Sequence, residues 1–209
     1  MAQKTQLSLI EGPVGALECR VGKVKPGKTP PGLVVLSHPH PLHGGTMNNK
    51  VVTTMEKAFH QAGWQTIAFN FRGVGRSEGS YDEGRGEQKD LAAVVTWAQG
   101  LFGELPLALA GFSFGSYISL MQAKTLQVQK LVTVAPPVNL YDFKALELPK
   151  EMDWSLIQGG QDEVVPPYKV ANWMRGIEPR PDVYWRESAS HYFHGELIWL
   201  RKLVTLLAE

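Results

Sequence analysis

The chain has 209 residues, 44% of them apolar and 20% charged, with a formal net charge of +1. That is enough chain and enough apolar surface for one globular domain, residues 1–209, with a substantial core. No run of Lys or Arg exceeds two residues, so binding to nucleic acid or to an anionic membrane has no electrostatic support. Cys19 is the single cysteine and excludes an intrachain disulfide. Residues 1–6 lack an apolar leader and no apolar run reaches membrane length, so the expectation is a soluble, cytoplasmic protein.

In chain order, Gln6–Ile10 and Ala16–Val21 alternate in character around Gly12-Pro13-Val14-Gly15 and predict an antiparallel hairpin. Lys23–Gly32 is rich in Pro, Gly and Lys and predicts an exposed loop. Leu33–Leu36 is a continuous apolar run, as in a strand covered on both faces. Ser37–Gly45 holds two prolines and a Gly pair and must be irregular. From Asn48 to Ala62, Val51, Val52, Met55, Ala58 and Phe59 recur at helical spacing, with Gly63 as the stop.

Gln65–Phe71 predicts the next strand, Arg72–Arg85 a long polar loop, and Glu87–Leu101 a helix with Leu91, Val94, Val95 and Ala98 on one face. Leu107–Ala110 predicts a strand, followed by a helix from Phe114 to about Leu126. Lys130–Ala135, Trp154–Gln158 and Asp182–Trp185 predict three further strands. Pro167–Arg175 and His194–Leu207 predict the last helices, and residues 137–153 carry no clear pattern. The strand–helix alternation from residue 33 onward implies a mostly parallel sheet with helices on both faces. Ligands bind such sheets at the carboxyl ends of the strands. The loops at 37–45, 72–85, 111–115, 159–166 and 187–193 all leave such ends.

Two segments fit Gly-x-Ser-x-Gly: Gly75–Gly79 and Gly111–Gly115. A nucleophile elbow needs a strand running into the first glycine and a helix beginning just after the serine. Ser113 has both. Ser77 has neither, since its strand ends near Phe71 and Glu78–Gly84 cannot hold a helix. A serine hydroxyl needs a general base and a carboxylate to orient that base. Only His191 and His194 follow Ser113. His191, in the loop after the last strand, is the expected base, and His194 is expected to open the final helix. Asp162, in the loop after Trp154–Gln158, is the expected acid, with Asp142 as its rival. Asp153 falls at the wrong end of a strand, and Glu163 is expected to point elsewhere.

A tetrahedral intermediate also needs fixed N–H donors. Phe114, just after the serine, supplies one. Pro39 and Pro41 have no N–H, which leaves His40 or Leu42 for the second, and His40 is the expected donor. His38, His40 and His43 have metal-like H-x-H-x-x-H spacing. The serine constellation favours a loop-ordering role for His38, and no metal or cofactor is expected.

With these pieces the chain resembles the α/β-hydrolase superfamily over nearly its whole length. It is most similar to the small lidless serine hydrolases related to dienelactone hydrolase. The likeness rests on His38-Pro39-His40-Pro41 with Gly44–Met47, on Phe69–Gly79, Gly111–Gly115 and Gly159–Asp162, and on His191–Phe193. The resemblance implies an eight-stranded, mostly parallel sheet with the second strand antiparallel, and Ser113, Asp162 and His191 as a triad. It also makes Gly75–Gly79 part of the loop after the fourth strand. Dienelactone hydrolases carry cysteine at the elbow where this chain has Ser113, which favours an esterase.

Residues 137–153 are too few for a cap domain, so an open cleft is expected, edged by Phe112, Tyr141, Tyr192 and Phe193. The expected function is acyl transfer from small or short-acyl esters to water, with a small-molecule ester as the partner. Thioesterase, acyl-peptide hydrolase or peptidase, and a catalytically silent binding protein of the same fold are the alternatives. Nothing in the sequence indicates an oligomeric state.

Overall fold

Strands β1 (Thr5–Gly12) and β2 (Gly15–Gly22) form the predicted hairpin, with Gly12 opposite Gly15 at the turn. The structure, a computed structural model, describes residues 5–22, 24 and 27–209. Of the loop expected over Lys23–Gly32, Lys23, Lys25 and Pro26 lie outside the described residues. The remaining strands are β3 (Leu33–Ser37), β4 (Gln65–Phe69), β5 (Leu107–Phe112), β6 (Lys130–Val134), β7 (Asp153–Gly159) and β8 (Asp182–Arg186). They join the hairpin in one sheet of order β1-β2-β4-β3-β5-β6-β7-β8. β2 runs antiparallel to both neighbours, and every pairing from β4 to β8 is parallel.

Among the described residues five helices cover the sheet: α1 (Lys50–Gln61), α2 (Arg85–Phe102), α3 (Phe114–Gln122), α4 (Pro167–Met174) and α5 (Leu197–Leu207). The strand period of two divides the core between the faces. Val35, Leu109 and Leu131 pack with α2, α3 and α4 residues such as Leu91, Ile118 and Val170. Val34, Leu36, Ala108, Ala110 and Val132 pack with Val52, Met55 and Phe59 of α1 and with Leu200 and Val204 of α5. Burial on both faces explains the unbroken apolar runs of the central strands. The connection from β6 to β7 holds only turns, so among the described residues no cap stands over the carboxyl edge. Among the described residues no helix is long and apolar enough to cross a membrane.

Of the element ends that differ from the sequence expectation, four have a local account in side chains or backbone turns. β4 stops at Phe69, not Phe71, because the Asn70 N–H donates to Glu18 O and the Phe71 N–H donates to His38 Nε2 at 3.0 Å. α2 begins at Arg85, two residues early, because the Glu87 carboxylate accepts the N–H groups of Asp82 (2.9 Å) and Gly84 (2.8 Å) as a cap. α5 begins at Leu197, not His194, because Phe193 and Gly195 have φ of 53° and 77° and break the helix there. α3 ends at Gln122, short of Leu126, and a run of turns leads to Gln127 at φ 53°.

The long loop between β4 and α2 is tied to the helix by Arg72. Its guanidinium holds Asp90 at 2.7 and 2.9 Å and the Gly86 carbonyl at 2.8 Å. A Cβ on Gly86 would lie 2.1 Å from Arg72 Nη1, so this approach requires glycine.

Candidate active site

The chain from β5 enters α3 through a single residue, Ser113, at φ 52° and ψ −118°. A positive φ costs a non-glycine residue about 1–3 kcal/mol, so surrounding contacts have to hold it. Ser113 N–H donates to Val134 O at 2.8 Å. Ser116 Oγ lies 2.7 Å from Gly111 O and accepts the Val134 N–H at 3.1 Å. Both flanking glycines are sterically required. A Cβ on Gly111 would lie 2.3 Å from Gly115 O, and one on Gly115 would lie 2.2 Å from Ser37 O.

The turn presents Ser113 Oγ 3.1 Å from His191 Nε2, and His191 Nδ1 lies 2.8 Å from Asp162 Oδ2. Ser113 is 8% exposed, Asp162 5% and His191 2%. Asp162 accepts four hydrogen bonds. Its Oδ1 takes the N–H groups of Val164 and Val165 at 2.9 and 2.7 Å, and its Oδ2 takes His191 Nδ1 and Gln158 Nε2. Four donors on one carboxylate fix its orientation toward the His191 ring. An ionised Asp162 places the imidazole proton on Nδ1, which leaves Nε2 bare to accept the Ser113 hydroxyl.

Two residues beyond the expected set support this line. Gln158 is fully buried, and its Nε2 is surrounded by Asp162 Oδ2 (3.1 Å), Gly159 O (3.3 Å) and Val165 O (3.4 Å), which fixes the orientation of the amide. Contrary to the sequence expectation, Glu163 points to the histidine loop. Its carboxylate accepts the His191 backbone N–H at 3.1 Å and holds the histidine loop. A polar Gln inside the apolar Trp154–Gln158 run was the available signal for the first. Nothing local signalled the second, because the contact spans 28 positions.

The rival groups lie apart from this line. Asp142 accepts the Lys144 N–H at 2.9 Å, and Asp153 pairs with Lys130. His194 is exposed, 6.0 Å from the Tyr192 ring between centroids. Ser77 is buried, donating to Asn70 O at 2.7 Å and accepting the Glu18 N–H at 2.9 Å.

Above the elbow, neither the Phe114 nor the His40 N–H meets an acceptor among the described residues. The Leu42 N–H is engaged by His40 Nδ1 at 3.1 Å. The His40 carbonyl accepts the N–H groups of His43 and Gly45, which folds the segment into a 3-10 turn over Pro41–His43. His38 is fully buried and uses both ring nitrogens. Nδ1 donates to Pro39 O at 2.6 Å and Nε2 accepts from Phe71. Burial lowers its pKa to about 4, so it stays neutral and ties the 37–45 loop to the end of β4. With both nitrogens engaged, His38 is not a free metal ligand. Burial, and then the neighbouring His43, also lower the pKa of His40.

The aromatic edge differs from expectation. Phe112 and Phe193 are fully buried core residues, not cleft residues. Phe112 occupies the last strand position and points inward, and Phe193 stacks on Trp199 at 6.4 Å. Tyr192 is 37% exposed and Tyr141 half-buried, so both reach the edge. Tyr81, from the loop after β4, is the aromatic the sequence reading left out.

A family described as alpha/beta hydrolase fold matches residues 42–166. An uncharacterized protein of Rickettsia prowazekii (strain Madrid E) is 37% identical over 162 residues, which cover 74% of this chain and 66% of that protein, just under two thirds. Two solved structures are similar over nearly their full lengths. An α/β serine hydrolase without a lid from Xanthomonas campestris shares 38% identity at a TM-score of 0.92, covering 99% of this chain and 94% of its own. An α/β serine hydrolase homologue from Coxiella burnetii shares 43% identity at a TM-score of 0.91, covering 99% and 98%.

Proposed function

The chain belongs to the alpha/beta hydrolase family, and from that premise we propose that it is a serine hydrolase acting on small or short-acyl carboxylic esters. The observation that carries this reading is the unbroken line from Ser113 Oγ through His191 to Asp162 at 3.1 and 2.8 Å. A hydroxyl already within reach of a base whose far nitrogen is held by a carboxylate is the arrangement that activates a serine.

In the proposed reaction Ser113 Oγ bonds to the ester carbonyl carbon while its proton passes to His191 Nε2. The carbonyl oxygen takes the electron pair and lies against the Phe114 and His40 N–H groups, near the positive end of α3. Asp162 stabilises the imidazolium. The bond to the alkoxy oxygen then breaks, and that oxygen leaves with the proton from His191 Nε2. Water, deprotonated by the same nitrogen, attacks the acyl-serine and restores Ser113.

The same machinery serves thioesters and peptide bonds, so the ester reading rests on the carboxyl edge, over which the β6–β7 connection places only turns. Turnover of matched ester, thioester and peptide-anilide substrates tests it. Ester turnover is expected to exceed anilide turnover and to vanish in Ser113→Ala. Anilide turnover equal to ester turnover would replace the reading by a peptidase, and full activity in Ser113→Ala would remove the serine mechanism.

A further inference from the structure

The sheet divides the surroundings of Ser113 into two halves. On the α1 and α5 face, the Phe112 and Tyr192 rings lie 5.0 and 5.1 Å from the His191 ring. The leaving oxygen has to reach His191 Nε2 to be protonated, so the alcohol half of a substrate belongs on this side. The acyl half then faces the other side, beyond the two N–H donors.

That other side is an aromatic wall. The His40 and Phe114 rings stand 5.5 Å apart, and Tyr81 packs on both, at 4.8 and 5.9 Å. Tyr141, from the segment after β6, also packs on both, at 6.5 and 5.4 Å. The two phenol oxygens converge from loops on opposite sides of the elbow and lie 3.4 Å apart. Hydroxyl pairs bond best near 2.7–2.8 Å, so this contact is weak. Neither phenol has another partner among the described residues. Two protons meet one long contact, and at least one O–H is left without an acceptor. Both side chains are half-buried, so the pair sits at the cleft rim and not in bulk solvent.

We propose that Tyr81 and Tyr141 form a hydrogen-bonding subsite for the acyl half of the substrate, receiving a neutral oxygen a few bonds beyond the scissile carbonyl, as in an oxo-acyl ester. The inference rests on the serine hydrolase reading. Burial, foremost, keeps the Tyr141 phenol protonated and therefore a donor. Glu87, the charged group that acts on Tyr141, is acidic, which disfavours a carboxylate there and favours an uncharged acceptor.

The test compares p-nitrophenyl 4-oxopentanoate and 5-oxohexanoate with the pentanoate and hexanoate, each kcat/KM divided by the ester's own rate with hydroxide. Wild-type protein is expected to favour at least one oxo ester by about tenfold. Tyr81→Phe with Tyr141→Phe is expected to bring that ratio to about one. A wild-type ratio near one, or a ratio that survives in the double variant, overturns the subsite. Binding without turnover gives a second readout. Ethyl 4-oxopentanoate is expected to raise the melting temperature of Ser113→Ala protein more than ethyl pentanoate does, and equal shifts overturn the subsite. Failure of the hydrolase reading is distinct, since it appears as hydrolysis of all four esters persisting in Ser113→Ala.

Discussion

Gly75–Gly79 and Gly111–Gly115 carry the same five-residue pattern and fold in opposite ways. Ser77 turns its hydroxyl inward, where Asn70 O and the Glu18 N–H consume it. The hydroxyl there replaces a missing strand contact and joins the hairpin to the end of β4. Ser113 stands at a positive φ between β5 and α3, and His191 is the only partner of its Oγ among the described residues. The difference lies in what each backbone leaves unpaired. A serine whose hydroxyl already serves two backbone groups has nothing left for a substrate, whereas one held by a strained turn against an imidazole nitrogen keeps its hydroxyl for the proposed reaction.

The contrast predicts separable losses. Ser113→Ala is expected to lower kcat on a short nitrophenyl ester by about 10⁵–10⁶-fold with the melting temperature nearly unchanged. Asp162→Asn is expected to cost about 10⁴-fold, because an amide no longer fixes the His191 tautomer. A loss confined to KM in either variant would break the assignment of the elbow.

Much of this contrast is legible in the sequence, because it depends on element order. Continuous apolar runs mark the central strands, and an elbow needs only a strand ending at Gly111 and a helix starting at Phe114. Asp162 and His191 follow from the same rule, each lying in a loop that leaves a strand end. The cleft is a different matter. Whether Phe112 faces core or solvent depends on the strand's phase at its last residue, and Phe193 is turned inward by its own positive φ. Tyr81 reaches His40 only because Arg72 and Asp90 fold the polar loop onto α2. Glu163 meets His191 across two separate loops. None of these has a local pattern, so all are settled by packing at a distance.

His38 ties the 37–45 loop to the end of β4, and its chemistry gives the next prediction. Its pKa in the folded protein is about 4, below the ordinary 6.5, so the native state binds fewer protons than the unfolded chain between those values. The stability of the neutral ring is full above pH 6.5 and is lost as pH falls from 6.5 toward 4, by about 3 kcal/mol in all. Urea unfolding across that window is expected to show a shallower acid loss in His38→Gln than in wild type. Equal slopes would mean that the ring is not buried neutral.

The smallest effect belongs to the other serine. Ser77→Ala leaves the Glu18 N–H and the Asn70 carbonyl unpaired in a buried place, which is expected to cost about 1–3 kcal/mol of stability. Ester turnover at a temperature where the variant is folded is expected to match wild type. A large fall in kcat without loss of stability would erase the distinction between the two segments.

Covalent labelling tests that distinction most directly. The protein is treated with a fluorophosphonate, which reacts only with an activated serine, then digested, and the adduct is located by mass spectrometry. One adduct is expected, on Ser113, and none in Ser113→Ala, while Ser77→Ala labels as wild type does. An adduct on Ser77, or wild-type protein that takes up no label, would contradict the account.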